Sequence, residues 1–206
     1  MSSPELKNVT EVTERGRRAD AVRNRQRVLD AALEAFEHAG CECQMPEIAK
    51  RADVGVGTIY RHFPSKRDLL EALADRHFER IEELGQEALD SGLPPWEALT
   101  TFIRSCARAI VDNRGMAEVV AQRTDIMAQS ARSHERLHEI GAELIRRAQE
   151  TGDVRPDATV DDIPTIMCGL GHVMSAQASG APMSWERYLT LMLDGLRPQP
   201  AARAPR

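Results

Sequence analysis

The chain has 206 residues, which is enough to bury a core in one compact protein or in two small packed domains. Aromatic residues make up only 4% of it and few stretches alternate polar and apolar residues, so strands are disfavoured. We therefore predict an all-α fold of about nine helices. The formal net charge of −5 excludes a protein that binds polyanions through excess positive charge alone.

The charged residues are unevenly distributed along the chain. Residues 15–68 contain 11 Lys or Arg against 8 Asp or Glu, whereas residues 69–206 contain 15 against 21. This asymmetry is typical of a DNA-binding domain that is followed by a region without DNA contacts.

Cysteine usage and the N-terminus bear on the compartment. The four cysteines (Cys41, Cys43, Cys106 and Cys168) follow no zinc-finger spacing, and the N-terminus has no apolar signal core. No stretch reaches the roughly 18–20 apolar residues that a membrane span needs. We expect a soluble, cytoplasmic protein with reduced thiols, no cofactor and no membrane attachment.

The first segment, residues 1–17, has few large apolar side chains and is predicted to be a disordered arm. Residues 15–27 are dense in arginine and are either the solvated start of a helix or an arm that follows the DNA backbone towards the minor groove. Apolar residues then recur at helical spacing from Val28 to Phe36, which predicts a core helix ending near Gly40. The candidate DNA contacts of the arm are Arg18, Arg23 and Arg25.

Residues 46–63 predict two short helices joined by a tight turn. Pro46 suits the start of the first helix, and Asp53 stands in the turn, where its side chain tolerates a left-handed backbone. In the second helix, Ile59 and Phe63 are four residues apart and point to a core. The opposite face carries no acid, so it is either a solvated surface or a face that contacts phosphates and base edges. This face consists of Gly57, Thr58 and Arg61, with Tyr60 and His62 on its flanks, and Val56 either packs inward or contacts a thymine methyl group.

The segment before these helices is less favourable for starting a helix. Gln44 and Met45 stand where a Ser or Thr cap would be expected, which predicts a loss of about 1 kcal/mol of local stability. Cys41 and Cys43 are compatible with a thiol sensor, with part of a metal site, or with a buried neutral pair.

A capping box follows the second short helix. Ser65 takes the N-cap position and Asp68 the third helical position, which predicts a new helix beginning at Lys66. Lys66 therefore lies at a helix N-terminus, where the helix dipole and its ammonium group together favour a phosphate.

The stretch RADVGVGTIYRHFPSKRDLL, residues 51–70, resembles the helix-turn-helix of the TetR family of bacterial transcriptional repressors. The resemblance runs without a gap from about Arg18 to Leu73. It implies a DNA-binding domain at 18–68, an effector-binding and dimerisation domain at 69–197, and a disordered tail at 198–206. It also implies a homodimer on a palindromic operator, released by a small molecule, with Lys66 on a phosphate.

The second domain has helical periodicity from Pro95 onwards, with one or two short helices at 116–128 and a long helix at 132–150. The resemblance places a ligand pocket among its helices. The pocket candidates, each of which could equally be a core residue, are Trp96, Phe102, Cys106, Met127, Leu137, Met167 and His172.

The long helix contains the sequence His134-Glu135-Arg136-Leu137-His138, an H-E-x-x-H pattern. On a helix this spacing places two imidazoles on one face, as in zinc proteases. No third ligand is indicated and Arg136 would repel a cation, so the pattern is also compatible with an ordinary polar face. A zinc-dependent hydrolase and a helical protein-interaction scaffold are the alternative hypotheses to a regulator, which is not expected to be an enzyme.

The last two predicted helices are apolar on more than one side and are rich in small residues. They either complete the core of a single chain or, as the resemblance implies, pair across a two-fold axis as a four-helix bundle. The candidate interface residues are Ile166, Leu170, Val173, Met174, Trp185, Leu189, Met192 and Leu193.

Overall fold

A computed structural model describes residues 4–133, 135–182 and 184–198; the side chains of 4–19 and 131–133 lie outside that description. No strand occurs among the described residues, which confirms the all-α prediction. The chain divides into two compact units, residues 1–69 (unit 1) and 70–206 (unit 2).

Unit 1 is built on one long helix and three shorter segments. Helix α1 covers Pro4–Ala39, and a single turn of 3-10 helix, Gly40–Glu42, follows it. Helices α2 and α3 cover Met45–Arg51 and Val56–His62. Val28, Leu29 and Phe36 of α1 are fully buried, as are Ile48 and Ile59, so α1 supplies the hydrophobic surface on which the two short helices pack.

The N-terminal segment differs from its prediction as a disordered arm. The structure gives helix from Pro4 onwards, and only residues 1–3 of the predicted arm lie outside the described part of the chain. Pro4 suits a first helical position, and no further proline interrupts the chain before Pro46, so α1 continues without a break. The predicted tail at 198–206 is described only at Pro198.

Unit 2 contains the remaining helices. Helix α4 covers Lys66–Asp90, so the division between the units falls within it. The others are α5 (Pro95–Val111), α6 (Arg114–Gln122), α7 (Thr124–Ser133), α8 (Glu135–Glu150), α9 (Asp162–Ala178) and α10 (Trp185–Gly195).

The described residues form ten α-helices, and the stretch for which one or two short helices are predicted forms two, α6 and α7. The Asn113 side chain caps α6 by accepting a hydrogen bond from the Met116 N–H at 2.9 Å. At Arg123 the backbone leaves the helical region, with φ −126° and ψ 48°, and α7 begins at the next residue. No helix of the described residues is long and apolar enough to cross a membrane.

Unit 2 is held together by α5, α6 and α9. Phe102, Ile103 and Ile110 on α5 are almost fully buried, and α5 packs on α6, α8 and α9. Helices α6 and α9 also approach closely, since a Cβ built on Gly171 would lie 2.8 Å from Val120 Cγ1. Only glycine fits at this crossing without a shift of one of the helices.

Candidate nucleic-acid interface and ligand cavity

The turn between α2 and α3 fixes the direction of α3. Asp53 is the only described non-glycine residue with a positive φ, at 52°. The Arg27 guanidinium of α1 donates to the Asp53 carbonyl oxygen at 3.3 Å and lies 3.4 Å from its carboxylate. Arg27 thus ties the turn to α1, a role that its position in an arginine-rich stretch does not reveal.

Helix α3 has the two faces that its sequence predicts. Ile59 is fully buried and Phe63, just after the helix, is 2% exposed. On the other face, the exposed fractions of Val56 and Tyr60 are 47% and 44%. Gly57 and Arg61 are also exposed, whereas Thr58 and His62 are half-buried. The outward side chains can donate to phosphates and contact base edges and thymine methyl groups.

A shallow cleft of about 380 Å³ lies between α1 and α3. Thr58, Arg61 and His62 line it from α3, and Asp20 and Asn24 line it from α1. Asn24, which no sequence pattern indicates as a candidate contact, has a side-chain amide that can both donate and accept hydrogen bonds.

The three arginines proposed from the N-terminal arm are in different situations. The side chain of Arg18 lies outside the described residues. Arg23 is exposed and pairs with Asp20 one turn earlier in α1. The Arg25 guanidinium lies 5.3 Å from the centre of the Phe63 ring, so it packs on the core of unit 1.

The capping box at the start of α4 is confirmed. The Ser65 N–H donates to Asp68 Oδ2 at 2.7 Å, and the Asp68 N–H donates to Ser65 Oγ at 3.3 Å. The Ser65 hydroxyl also donates to Asp68 Oδ2, at 2.6 Å, and this hydrogen bond, followed by the one from the Ser65 N–H, holds the pKa of the Asp68 carboxyl below its usual value. The box fixes the half-buried Lys66 at the first position of α4.

The start of α2 is better capped than the sequence predicts. Glu47 Oε2 accepts a hydrogen bond from the Gln44 N–H at 3.2 Å and from the Cys43 thiol at 3.1 Å. The predicted loss of a cap at Gln44 is therefore corrected, because a glutamate three residues later satisfies that backbone N–H.

Cys41 and Cys43 are both buried. Burial, and then the hydrogen bond to Glu47, raise the pKa of the Cys43 thiol. A protonated thiol is a poor nucleophile and a poor metal ligand, so these observations favour the buried neutral pair over a thiol sensor.

Unit 2 encloses a cavity of about 940 Å³ that is lined by α4 to α9. Five of the seven pocket candidates line it: Phe102, Cys106, Met127, Leu137 and Met167. The lining also includes His77 of α4, which the sequence analysis did not single out because a single histidine on a helix carries no distinctive pattern.

The other two pocket candidates lie outside the lining, and we no longer assign them to the cavity. The Arg197 guanidinium lies 3.9 Å from the centre of a Trp96 ring, which fastens the C-terminal segment to the start of α5. His172 is exposed on α9, where its Nδ1 donates to the Cys168 carbonyl oxygen at 3.0 Å.

The structure describes only part of the H-E-x-x-H pattern. His134 lies outside the described residues, while Glu135 and His138 are exposed and line the cavity. Among the described residues, no three His, Cys, Asp or Glu side chains are grouped so that they could hold a metal ion. Within the described chain, nothing favours the hydrolase or the scaffold hypothesis.

The candidate interface residues divide into two groups. Five of them, Ile166, Leu170, Val173, Leu189 and Leu193, are at most 8% exposed in the single chain. They pack in its own core, so their assignment to an interface is corrected. Met174, Trp185 and Met192 keep partly exposed side chains, and Leu191, which the sequence analysis missed, is 47% exposed.

Both units resemble known proteins. Residues 28–73 match the family of bacterial regulatory proteins named for TetR, and residues 94–198 match the C-terminal domain of SbtR-like transcriptional regulators. The HTH-type transcriptional repressor KstR of Mycolicibacterium smegmatis is 33% identical over 156 residues, which cover 74% of this chain and 76% of that protein.

Solved structures show the same similarity. A TetR transcription regulatory protein from Mycobacterium vanbaalenii has a TM-score of 0.57 and 33% identity, covering 88% of this chain and 99% of its own. The ketosteroid transcriptional regulator KstR2 of Mycobacterium tuberculosis has a TM-score of 0.62 over 85% of this chain and 95% of its own. At 19% identity, the second comparison shows the fold alone.

Proposed function

Since the chain belongs to the TetR family and is a ligand-responsive, DNA-binding transcriptional regulator, we propose that it is a homodimeric repressor of a palindromic operator. A small molecule in the cavity of unit 2 releases it from DNA. The observation that carries the proposal is the exposed, acid-free face of α3, presented by a buried core on a helix-turn-helix.

The proposed DNA contacts divide by chemistry. Arg61, Thr58 and Gly57 contact base edges from the exposed side of α3, and Val56 contacts a thymine methyl group. Tyr60, His62 and Lys66 bind phosphates, the last at a capped helix N-terminus. Arg18, Arg23 and Arg25 extend the phosphate contacts along α1.

Helix α4 supports a coupling between the two units. It carries Lys66 in unit 1 and His77, Phe78 and Ile81 in the lining of the cavity in unit 2. A ligand that displaces this helix changes both surfaces at once. Release requires that the ligand prefer the conformation with low operator affinity, because equal affinity for two states shifts nothing.

Dimerisation is assigned to the exposed faces of α9 and α10. Among the apolar side chains that these helices leave partly uncovered are Leu191, Met192, Met174 and Trp185. A two-fold contact through this surface would bury them and bring two copies of α3 to one operator.

A footprint of the full-length protein on the intergenic DNA beside its own gene tests the proposal. We expect protection of two half-sites whose centres are one helical turn, or a multiple of it, apart. Protection of a single asymmetric site, or of no site, would contradict the homodimeric repressor.

Gel shifts with variants test the assigned contacts. Lys66→Ala and Tyr60→Ala should weaken binding to every DNA sequence, and Lys66→Ala should lower the salt slope by about one unit. Arg61→Ala should cost about 1–3 kcal/mol on the operator but little on unrelated DNA, and so relax sequence preference. Arg104→Ala, an equal change of charge on the exposed face of α5, is the control. If all three variants bind the operator as tightly as the unmodified protein, the assignment of α3 to the DNA interface is wrong.

A further inference from the structure

The cavity of unit 2 is large and its interior is uncharged. Its volume of about 940 Å³ lies near the upper end of the roughly 300–1,000 Å³ typical of small-molecule sites. Several of its lining residues are apolar and buried, with Phe102 and Ile110 each 1% exposed and Ile163 8% exposed. Burial also raises the pKa of the Cys106 thiol, so this group stays neutral.

The charged residues of the lining are confined to its exposed part. The three carboxylates, Glu135, Glu139 and Asp161, are all exposed, as is the His138 imidazole beside them, and no Lys or Arg is among the described lining residues. An anionic ligand would pass three like charges and find no cation inside. A cationic ligand would lose its water in an interior that holds no buried acid, because the carboxylates stay in solvent.

His77 is the polar group of the interior. It is surrounded by protein but keeps part of its surface accessible because it faces the cavity. Burial lowers the pKa of His77 to about 4, so at neutral pH the imidazole has one donor and one acceptor nitrogen. Its ring packs edge-on to Phe78 at 5.5 Å and has no hydrogen-bond partner among the described residues.

We propose that the cavity selects an uncharged, mostly apolar molecule that carries a hydroxyl or carbonyl group, and that this group hydrogen-bonds to His77. A carboxylate, a phosphate ester or an ammonium compound of the same size is rejected. The apolar body of the ligand gains free energy from burial against α5 and α9, and His77 fixes its orientation. This inference rests on the proposed function only in taking the cavity as the effector site.

Four pyrene derivatives of nearly equal size test the selectivity on the full-length protein. 1-Pyrenemethanol is the neutral probe, 1-pyrenecarboxylate the anion, 1-pyrenemethylammonium the cation, and 1-methylpyrene lacks a hydrogen-bonding group. Titrations followed by fluorescence anisotropy should show one molecule of 1-pyrenemethanol bound per chain, at least about tenfold more tightly than either ion. Equal or tighter binding of the carboxylate or the ammonium probe would overturn the proposal.

The role of His77 is tested by two variants. His77→Phe keeps a ring in the cavity but removes both hydrogen-bonding nitrogens, so it should weaken 1-pyrenemethanol by about five- to tenfold and leave 1-methylpyrene unchanged. His77→Gln should restore most of the lost affinity. If His77→Phe weakens both probes equally, His77 only shapes the cavity and its assignment as the hydrogen-bonding group is wrong.

Two further variants locate the binding and the charge effect. Met167→Trp, which fills the cavity from α9, should weaken every neutral probe at least about tenfold, whereas Leu93→Trp on an exposed loop should not. Replacing Glu135 and Glu139 by Gln and Asp161 by Asn in one variant should reduce the ratio of the affinities for 1-pyrenemethanol and 1-pyrenecarboxylate, because the three negative charges are removed. Unchanged binding to Met167→Trp would place the probes elsewhere and refute the site.

The probe titrations contain no DNA, so this inference and the proposed function can fail separately. If the protein protects its operator but binds no neutral probe, the proposed repressor function stands and the proposed ligand class is wrong. If the protein binds 1-pyrenemethanol through His77 but protects no DNA, the proposed repressor function is wrong and the proposed ligand site stands.

Discussion

At Asp53 the backbone adopts a φ of 52°, a left-handed conformation that costs a residue with a Cβ roughly 1–2 kcal/mol. An aspartate lowers this cost through local hydrogen bonding, and Arg27 adds a contact to its carbonyl oxygen and carboxylate. Because Arg27 and Asp53 are largely exposed, their ion pair contributes little and the carbonyl contact matters more.

Substitutions at Asp53 separate backbone strain from the ion pair. Asp53→Gly should leave the free energy of unfolding within about 0.5 kcal/mol, because the relief of strain offsets the lost carboxylate. Asp53→Val should lower it by about 1–2 kcal/mol, since a β-branched residue fits this φ poorly. Urea denaturation followed by circular dichroism measures both. If both variants are destabilised equally, the carboxylate of Asp53, and not the strain of its backbone, determines the contribution of this residue to the free energy of unfolding.

Asp68 makes the N-terminus of α4 sensitive to acid. Hydrogen bonds from Ser65 lower its pKa in the folded protein below the usual value of about 4. The resulting stability is fully present above about pH 4 and is lost as the pH falls further, through the folded pKa.

Asp68→Asn should therefore destabilise the protein at pH 7 and have a smaller effect at the lowest pH at which the protein stays folded. Urea midpoints measured across the acid range would show this convergence. Asp90→Asn, at the other end of α4, carries the same chemical change away from the capping box and serves as the control. If the difference in urea midpoint between Asp68→Asn and the unmodified protein stays constant from pH 7 downwards, the charge of Asp68 is not linked to folding.

At the scale of the elements, helices α6 and α9 of unit 2 pack closely around Gly171. A Cβ on Gly171 would meet Val120 Cγ1 at 2.8 Å and the Ala121 backbone nitrogen at 3.3 Å. The side chain can rotate away, but the backbone atom can move only with its helix. The small residue is thus required by the packing of two helices and not by the conformation of α9 itself.

Gly171→Ala should destabilise the protein by about 1–3 kcal/mol in spite of the better helix propensity of alanine. Gly195→Ala is the control, because it meets no atom within 4 Å at the end of α10. Its effect should stay within about 0.5 kcal/mol. Thermal unfolding of both variants gives the comparison, and a stabilised Gly171→Ala protein would show that α6 and α9 can separate at little cost.

At the scale of the whole molecule, assembly decides whether two copies of α3 can act together. We place the proposed interface on α10 because Leu191 is 47% exposed and two further large apolar side chains of the same helix, Trp185 and Met192, are also partly exposed. A single unit 1 bound to one half-site gains nothing from the second half-site, whereas a dimer binds both with a high effective concentration.

We expect Leu191→Glu to convert the proposed dimer to a monomer and to weaken binding to the proposed operator by at least about tenfold. Leu93→Glu is a matched control, because Leu93 is 42% exposed but lies between α4 and α5. Light scattering after size-exclusion chromatography measures the mass, and gel shifts measure affinity. A Leu191→Glu protein that remains dimeric and binds DNA normally would place the interface elsewhere.

The sequence by itself determined the all-α class, the two faces of α3 and the capping box of α4. The all-α class follows from the composition and from the scarcity of alternating stretches. The faces of α3 and the capping box depend on residues three or four positions apart, so the helical repeat is enough to specify them. The TetR resemblance followed from the same local segment, residues 51–70.

Only the tertiary structure decided the contacts between residues distant in the chain. It joined Arg27 to Asp53, placed His77 in the cavity, excluded Trp96 from it, and buried Leu170 in the core of a single chain. An apolar helix face has the same pattern whether it packs on its own chain or on a second copy. What separates the two cases is the direction in which each helix crosses its neighbours, and that depends on packing across the whole unit.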